Sequence, residues 1–74
     1  MQEKELREVM LRENDEFKKL HQQHQKYEKE LEKFKDKSYL TEDEKLKEKE
    51  LKKKKLVLKD RMYFLMREYR KSHR

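Results

Sequence analysis

The chain has 74 residues, of which 31% are hydrophobic and 54% charged, and its formal net charge is +6. A chain of this length forms one small domain with a thin core, and without cysteine it can have neither disulfides nor a thiolate metal site. Glycine and proline are also absent. Glycine-rich phosphate loops are therefore excluded, and the abundance of Lys, Glu and Leu predicts an all-helical protein.

The first predicted element is a short leader helix within residues 1–13. Asn14 precedes Asp15 and Glu16, which is the pattern of an N-cap residue before an acidic first turn. A second, longer helix is therefore expected to start at about residue 15. The sequence leaves open whether the leader is continuous with it.

This first long helix, predicted over residues 15–37, carries a stripe of mostly apolar residues. Its members are Phe17, Leu20, His24, Tyr27, Leu31 and Phe34. Steps of three and four residues place them on one side of the helix, which is typical of a helix packed along its length against another.

A second stripe lies on a helix predicted over residues 42–70. Its members are Leu51, Leu58, Met62, Leu65 and Tyr69. The phase of the first stripe would put apolar residues at 52, 59 and 66, one residue later than the leucines at 51, 58 and 65. One straight helix would carry such a stripe around its side, so the slip predicts an antiparallel hairpin.

The turn of this hairpin is predicted at residues 38–41. Thr41 and Glu44 have the spacing of a capping box, which would start the second long helix. Folding about this turn pairs Phe17 with Met62, Leu20 with Leu58 and Tyr27 with Leu51, and it places His24 opposite Lys54 or Lys55. Together the two stripes form the predicted hairpin seam, and residues 71–74 are expected to be a frayed tail.

Four apolar side chains of the second helix fall outside this seam. They are Leu46, Leu56, Tyr63 and Phe64. A two-helix hairpin cannot cover them all, which favours a homodimer, as a coiled coil or four-helix arrangement, or a complex with another helical protein. The alternative is that the leader helix covers part of this surface.

Two segments resemble a known family. Residues 17–34, F-x-x-L-x-x-x-H-x-x-Y-E-x-x-L-x-x-F, are similar to the first long helix of the YdcH-like family of small bacterial proteins. Residues 51–63, LKKKKLVLKDRMY, resemble its second-helix signature. The departures from the family pattern are conservative: Tyr27, Glu28 and Phe34 in the first segment and Met62 in the second. The resemblance implies a small bacterial helical hairpin and implies no particular biochemical activity.

His21, His24 and Glu28 lie on one side of the first long helix, because three and four residues separate them. Two imidazoles and a carboxylate could bind zinc or a similar metal. The same residues suit a polar seam layer, in which His24 meets Glu28 and a lysine of the second helix. Two helical histidines at this spacing are common by chance, so the sequence favours the polar layer, with no metal or other cofactor.

The whole positive charge lies in residues 39–74, which hold thirteen basic and seven acidic side chains, whereas residues 1–38 hold ten of each. A basic helix could contact nucleic-acid phosphates. The candidate contacts are Lys52, Lys53, Lys54, Lys55, Lys59 and Arg61, followed by Arg67 and Arg70.

The alternative is a solvated helix whose acidic start and basic end complement the helix dipole. Lysine outnumbers arginine 17 to 6, whereas bidentate phosphate recognition favours arginine. The sequence therefore favours the solvated helix over a nucleic-acid partner. An anionic membrane surface would suit the same lysines, but the apolar face is already assigned to the seam.

An enzyme is not predicted. The chain offers no cysteine nucleophile and no glycine loop, and two helices leave no room for a pocket that excludes water. The first residues lack the apolar run of a signal peptide, and no apolar run is long enough to cross a bilayer. The sequence thus predicts a non-enzymatic, cytoplasmic protein that acts through helix–helix association.

Overall fold

A computed structural model describes residues 2–73. Three α-helices follow one another: α1 (Glu3–Glu13), α2 (Asp15–Lys35) and α3 (Glu42–Ser72). Helices α2 and α3 pack against each other as an antiparallel hairpin, and α1 contacts both. The predicted all-α hairpin is confirmed, and its principal-axis extents are 49 × 20 × 17 Å.

Asn14 ends the first helix and starts the second. Its backbone N–H donates to the carbonyl of Met10 at 2.9 Å, and its side-chain oxygen accepts from the amide of Phe17 at 2.9 Å. Its φ of −123° and ψ of 109° are those of extended backbone. The leader is therefore a separate helix, and the predicted N-cap is confirmed.

Thr41 starts α3 through the predicted capping box. The Thr41 hydroxyl accepts from the amide of Glu44, and the Glu44 carboxylate accepts from the amide of Thr41, both at 3.2 Å. The Lys37 ammonium donates to the same carboxylate. Lys37 and then the bonds to Thr41 lower the pKa of Glu44.

The ends of the two long helices differ from the predicted ones by two residues each. Helix α2 ends at Lys35 rather than 37, because the amide of Lys37 bonds to the carbonyl of Phe34 in a tighter, three-residue turn. The turn therefore spans 36–41 rather than 38–41.

Helix α3 continues to Ser72 rather than ending at 70. The ring of His73 stacks on that of Tyr69 with centroids 3.9 Å apart, and the hydroxyl of Ser72 donates to the carbonyl of Glu68. The predicted frayed tail, 71–74, is thus helical through Ser72, and Arg74 lies outside the described residues.

The core lies at the open end of the hairpin, away from the turn. One cluster of buried side chains joins all three helices: Leu6, Met10, Phe17, Met62 and Met66. Leu31 and Leu51 are buried nearer the turn. The leader helix covers this open end of the seam. It does not cover the apolar side chains of α3 that fall outside the seam, Leu46, Leu56, Tyr63 and Phe64, which are exposed.

Candidate interaction surface

Large apolar side chains are exposed along one side of α3. Their exposed fractions are 58% for Leu46, 59% for Leu56, 67% for Val57, 42% for Tyr63 and 44% for Phe64. The opposite side of the helix, which includes Leu51, Met62 and Met66, is buried. We call the five exposed residues, together with Asp60, the outer face of α3.

Asp60 lies in the middle of this face. Leu56 and Val57 precede it by four and three residues, and Tyr63 and Phe64 follow it by three and four. These four positions are the ones that neighbour a residue on a helix surface. One exposed carboxylate is therefore ringed by four apolar side chains.

Charged residues continue the midline of the outer face in both directions. Lys53 and Arg67 lie seven residues before and after Asp60, and all three are exposed. Seven residues are nearly two helical turns, so the three side chains lie almost on one line. The outer face is thus apolar on both flanks, with the charge order basic, acidic, basic along its middle.

Val57 is the member of this face that the sequence prediction missed. It lies seven residues before Phe64, as Leu56 does before Tyr63. This repeat is the signal that would have found it.

The eleven residues of the predicted seam occupy buried or half-buried positions. Buried are Phe17, Leu31, Leu51 and Met62; half-buried are Leu20, His24, Tyr27, Phe34, Leu58, Leu65 and Tyr69. Phe17 and Met62 share the buried cluster, and Tyr27 and Leu51 line one groove. Met66, missing from the prediction, is more deeply buried than Leu65.

A polar layer interrupts the seam at His24. Its Nδ1 lies 3.9 Å from Oε1 of Glu28, and the same oxygen lies 3.3 Å from Nζ of Lys55 on α3. The Nε2 atom of His24 is enclosed and makes no hydrogen bond with the described residues. His24, Glu28 and Lys55 therefore form a layer that links the two long helices.

Burial lowers the pKa of His24 below its ordinary value. Glu28 opposes this effect, whereas the positive charges of Lys55 and Lys59 reinforce it. Removal of the imidazole from water dominates, so the neutral ring is the form that fits the seam.

His21 lies beside His24 and Glu28 on the wall of a cleft of about 310 Å³. Within residues 2–73, no group of three or more His, Asp or Glu side chains has an arrangement that could hold a metal ion.

The six basic residues of the candidate phosphate contact fall into two groups, those paired with carboxylates and those exposed to solvent. Lys55 pairs with Glu28, Lys52 lies 3.6 Å from Glu48, and Arg61 donates to Glu16. Lys53, Lys54 and Lys59 are exposed. Carboxylates thus neutralise three of the six cations, and the other three point in different directions around the helix.

No helix in the described part of the chain combines the length and apolarity needed to cross a membrane.

The fold defines a small helical-hairpin protein with a leader helix over the open end of its seam. The family described as "Protein of unknown function (DUF465)" matches residues 17–66. The chain belongs to this family, and the resemblance found in the sequence is confirmed. Comparison with curated proteins and with solved structures gave no match.

Proposed function

We propose that this protein is a non-enzymatic interaction module that binds another helix through the outer face of α3. The observation that carries this proposal is the exposure of five large apolar side chains on one helix face. Contiguous apolar surface of this kind is typical of protein-binding sites. The hairpin already has a seam and a leader helix to cover it, so this surface is left over after folding.

The chemistry of the polar residues supports a non-enzymatic role. His24, the histidine held between the long helices, has its Nε2 enclosed in the seam, where it cannot reach a substrate. Glu16, Glu28 and Glu44 are engaged in ion pairs that hold one helix or segment to another. These groups have structural roles. The family resemblance and the high charge of the chain further support a bacterial, cytoplasmic protein.

The test compares two exposed aromatic side chains in purified protein. Phe64→Ala removes an anchor of the outer face, whereas Tyr39→Ala removes an even more exposed aromatic in the turn. We expect only the first variant to reduce association, measured by sedimentation equilibrium for the chain alone and by pull-down with cell extract. Equal helix content by circular dichroism is the control. Equal loss in both variants, or none in either, would contradict the proposal.

The alternative is a nucleic-acid-associated protein that contacts phosphates through α3. It is supported by the exposure of Lys53, Lys54 and Lys59 and by the excess of basic residues after residue 38. The pairing of Lys52, Lys55 and Arg61 with carboxylates weakens it.

A double variant, Lys53→Glu with Lys54→Glu, tests this alternative. Duplex DNA or RNA binding that persists at physiological salt and is lost in the double variant would favour nucleic-acid binding. We expect only weak binding, lost well below physiological salt.

A further inference from the structure

We propose that the outer face of α3 binds the same face of a second copy of this chain, with the two α3 helices antiparallel. The two-fold axis passes between Leu56 and Val57. This inference rests on the proposed function and names the partner. It follows from the position of the outer face along α3 and from its order of charges.

The proposed axis lies at the middle of the helix. Helix α3 spans Glu42–Ser72, so an axis between Leu56 and Val57 overlaps the two copies over almost their whole length. The first turn of α3 is acidic and its last turn is basic. Antiparallel pairing places Glu42 opposite Lys71 of the second copy, and the helix dipoles then also oppose each other.

The same axis places opposite charges together on the midline. Asp60 lies opposite Lys53 of the second copy, and the symmetry repeats this pair on the other side of the axis. Both side chains are exposed in the isolated chain, and within one chain they lie about 10 Å apart along the helix. The carboxylate ringed by apolar residues thereby gains a partner from another chain.

The apolar residues of the outer face are covered in this arrangement. Leu56 and Val57 meet their own copies at the axis. Tyr63 comes to the level of Glu50 of the second copy, one residue from Lys49, whose ammonium can lie over its ring. Phe64 reaches the region of Leu46 of the second copy. All five exposed apolar side chains of α3 are then in contact.

Other pairings put like charges together or leave part of the face exposed. An axis at Asp60 would place the two Asp60 side chains opposite each other and Lys53 opposite Arg67, so like charges would meet. In a parallel pair in register, each charged residue would face its own copy in the second chain. An axis between Tyr63 and Phe64 would pair Asp60 with Arg67, but it would leave Leu46 beyond the end of the second helix. Of these four arrangements, the axis between Leu56 and Val57 is the one that satisfies both charge and coverage.

A charge exchange tests this register. Lys53→Asp and Asp60→Lys each create like-charge contacts at two places in the dimer, and we expect each to weaken dimerisation by about tenfold. The double variant K53D/D60K restores both pairs and should recover the original dissociation constant to within about threefold. Lys54→Asp, on the same helix but off the outer face, is the matched control.

Cross-linking gives a second measurement that does not depend on affinity. Because the chain has no cysteine, a single cysteine reports its own position. Leu56→Cys lies at the axis and should oxidise to a disulfide-linked dimer, whereas the two copies of Phe64→Cys would lie about 22 Å apart and should not. The inference would be overturned if the chain were monomeric at all concentrations. It would also be overturned if K53D/D60K failed to restore dimerisation while Phe64→Cys formed a disulfide-linked dimer. Loss of association in Phe64→Ala together with a failed rescue would overturn this register and leave the proposed function standing.

Discussion

Arg61 of α3 and Glu16 of α2 are joined by two hydrogen bonds to one carboxylate oxygen. The Nε and Nη2 atoms of Arg61 lie 3.1 Å and 2.9 Å from Oε1 of Glu16, and the guanidinium carbon lies 5.1 Å from the centroid of the Phe64 ring. Arg61 therefore connects the hairpin to the edge of the outer face of α3. Its guanidinium also lies over the ring of Phe64.

The first prediction concerns this ion pair. Glu16→Gln should lower the free energy of unfolding by only about 0.5 kcal/mol, because both side chains are about half exposed and water screens their attraction. Urea unfolding followed by circular dichroism measures the change. The loss should shrink at high salt, and a loss above about 2 kcal/mol would show that the pair contributes far more than exposed pairs do.

The second prediction concerns the pH dependence of stability. His24 has a pKa lowered by burial, so the unfolded chain binds its proton at a higher pH than the folded chain does. Stability should therefore be complete above the ordinary value of 6.5 and should fall as the pH drops from there through the lowered pKa. The groups around the ring whose charges act on it are Glu28, Lys55, Lys59 and His21.

His24→Leu isolates this effect. The variant should lose the pH dependence that begins at about pH 6.5 and continues below it. It should also be more stable than the parent chain by about 1 kcal/mol at neutral pH, because it removes an enclosed nitrogen without a partner. Urea unfolding across this pH range is the measurement, and His21→Leu is the control. An unchanged slope would assign the pH dependence to other groups.

The third prediction concerns the capping box at the start of α3. Thr41→Ala should cost about 1 kcal/mol of unfolding free energy, since the amide of Glu44 loses its acceptor. Thr41→Ser keeps a hydroxyl at this position and should cost much less. Thermal unfolding of both variants checks the difference, and equal losses would show that the methyl group matters rather than the cap.

The fourth prediction concerns the leader helix. Leu6 is fully enclosed in the cluster with Phe17 and Met66, so Leu6→Ala should destabilise the protein by about 2–5 kcal/mol. For a small domain this is enough to abolish cooperative unfolding. Leu11→Ala, at a half-buried position of the same helix, should cost less. Urea unfolding compares the two, and a small effect at Leu6 would mean that α1 is dispensable to the core.

Features set by neighbours in the chain could be predicted from the sequence. The caps at Asn14 and Thr41 depend on residues three positions apart, and the hairpin follows from the phase slip between the two stripes. The helix ends at Lys35 and Ser72 were less accessible, because they depend on a tight turn and on the stacking of His73 against Tyr69.

Features set by the rotation of one helix against another could not be predicted in the same way. Met66 was missed because Leu65 and Met66 are adjacent, and only the position of α1 decides which is buried. The pair of Arg61 and Glu16 spans 45 residues and leaves no periodic signal. Val57 of the outer face is a different case, since its seven-residue spacing from Phe64 could have identified it from the sequence.

The location of the core has a consequence for how the chain folds. Leu6 and Met66 belong to one buried cluster although sixty residues separate them in the sequence. Their contact cannot form on a ribosome until nearly all of this segment has been synthesised, whereas the turn between α2 and α3 can form early. Amide hydrogens near the turn should exchange with solvent before those around Phe17, because the buried cluster lies at the other end of the hairpin. The hairpin would then open first at the turn and last at the end where its two helices are farthest apart in sequence.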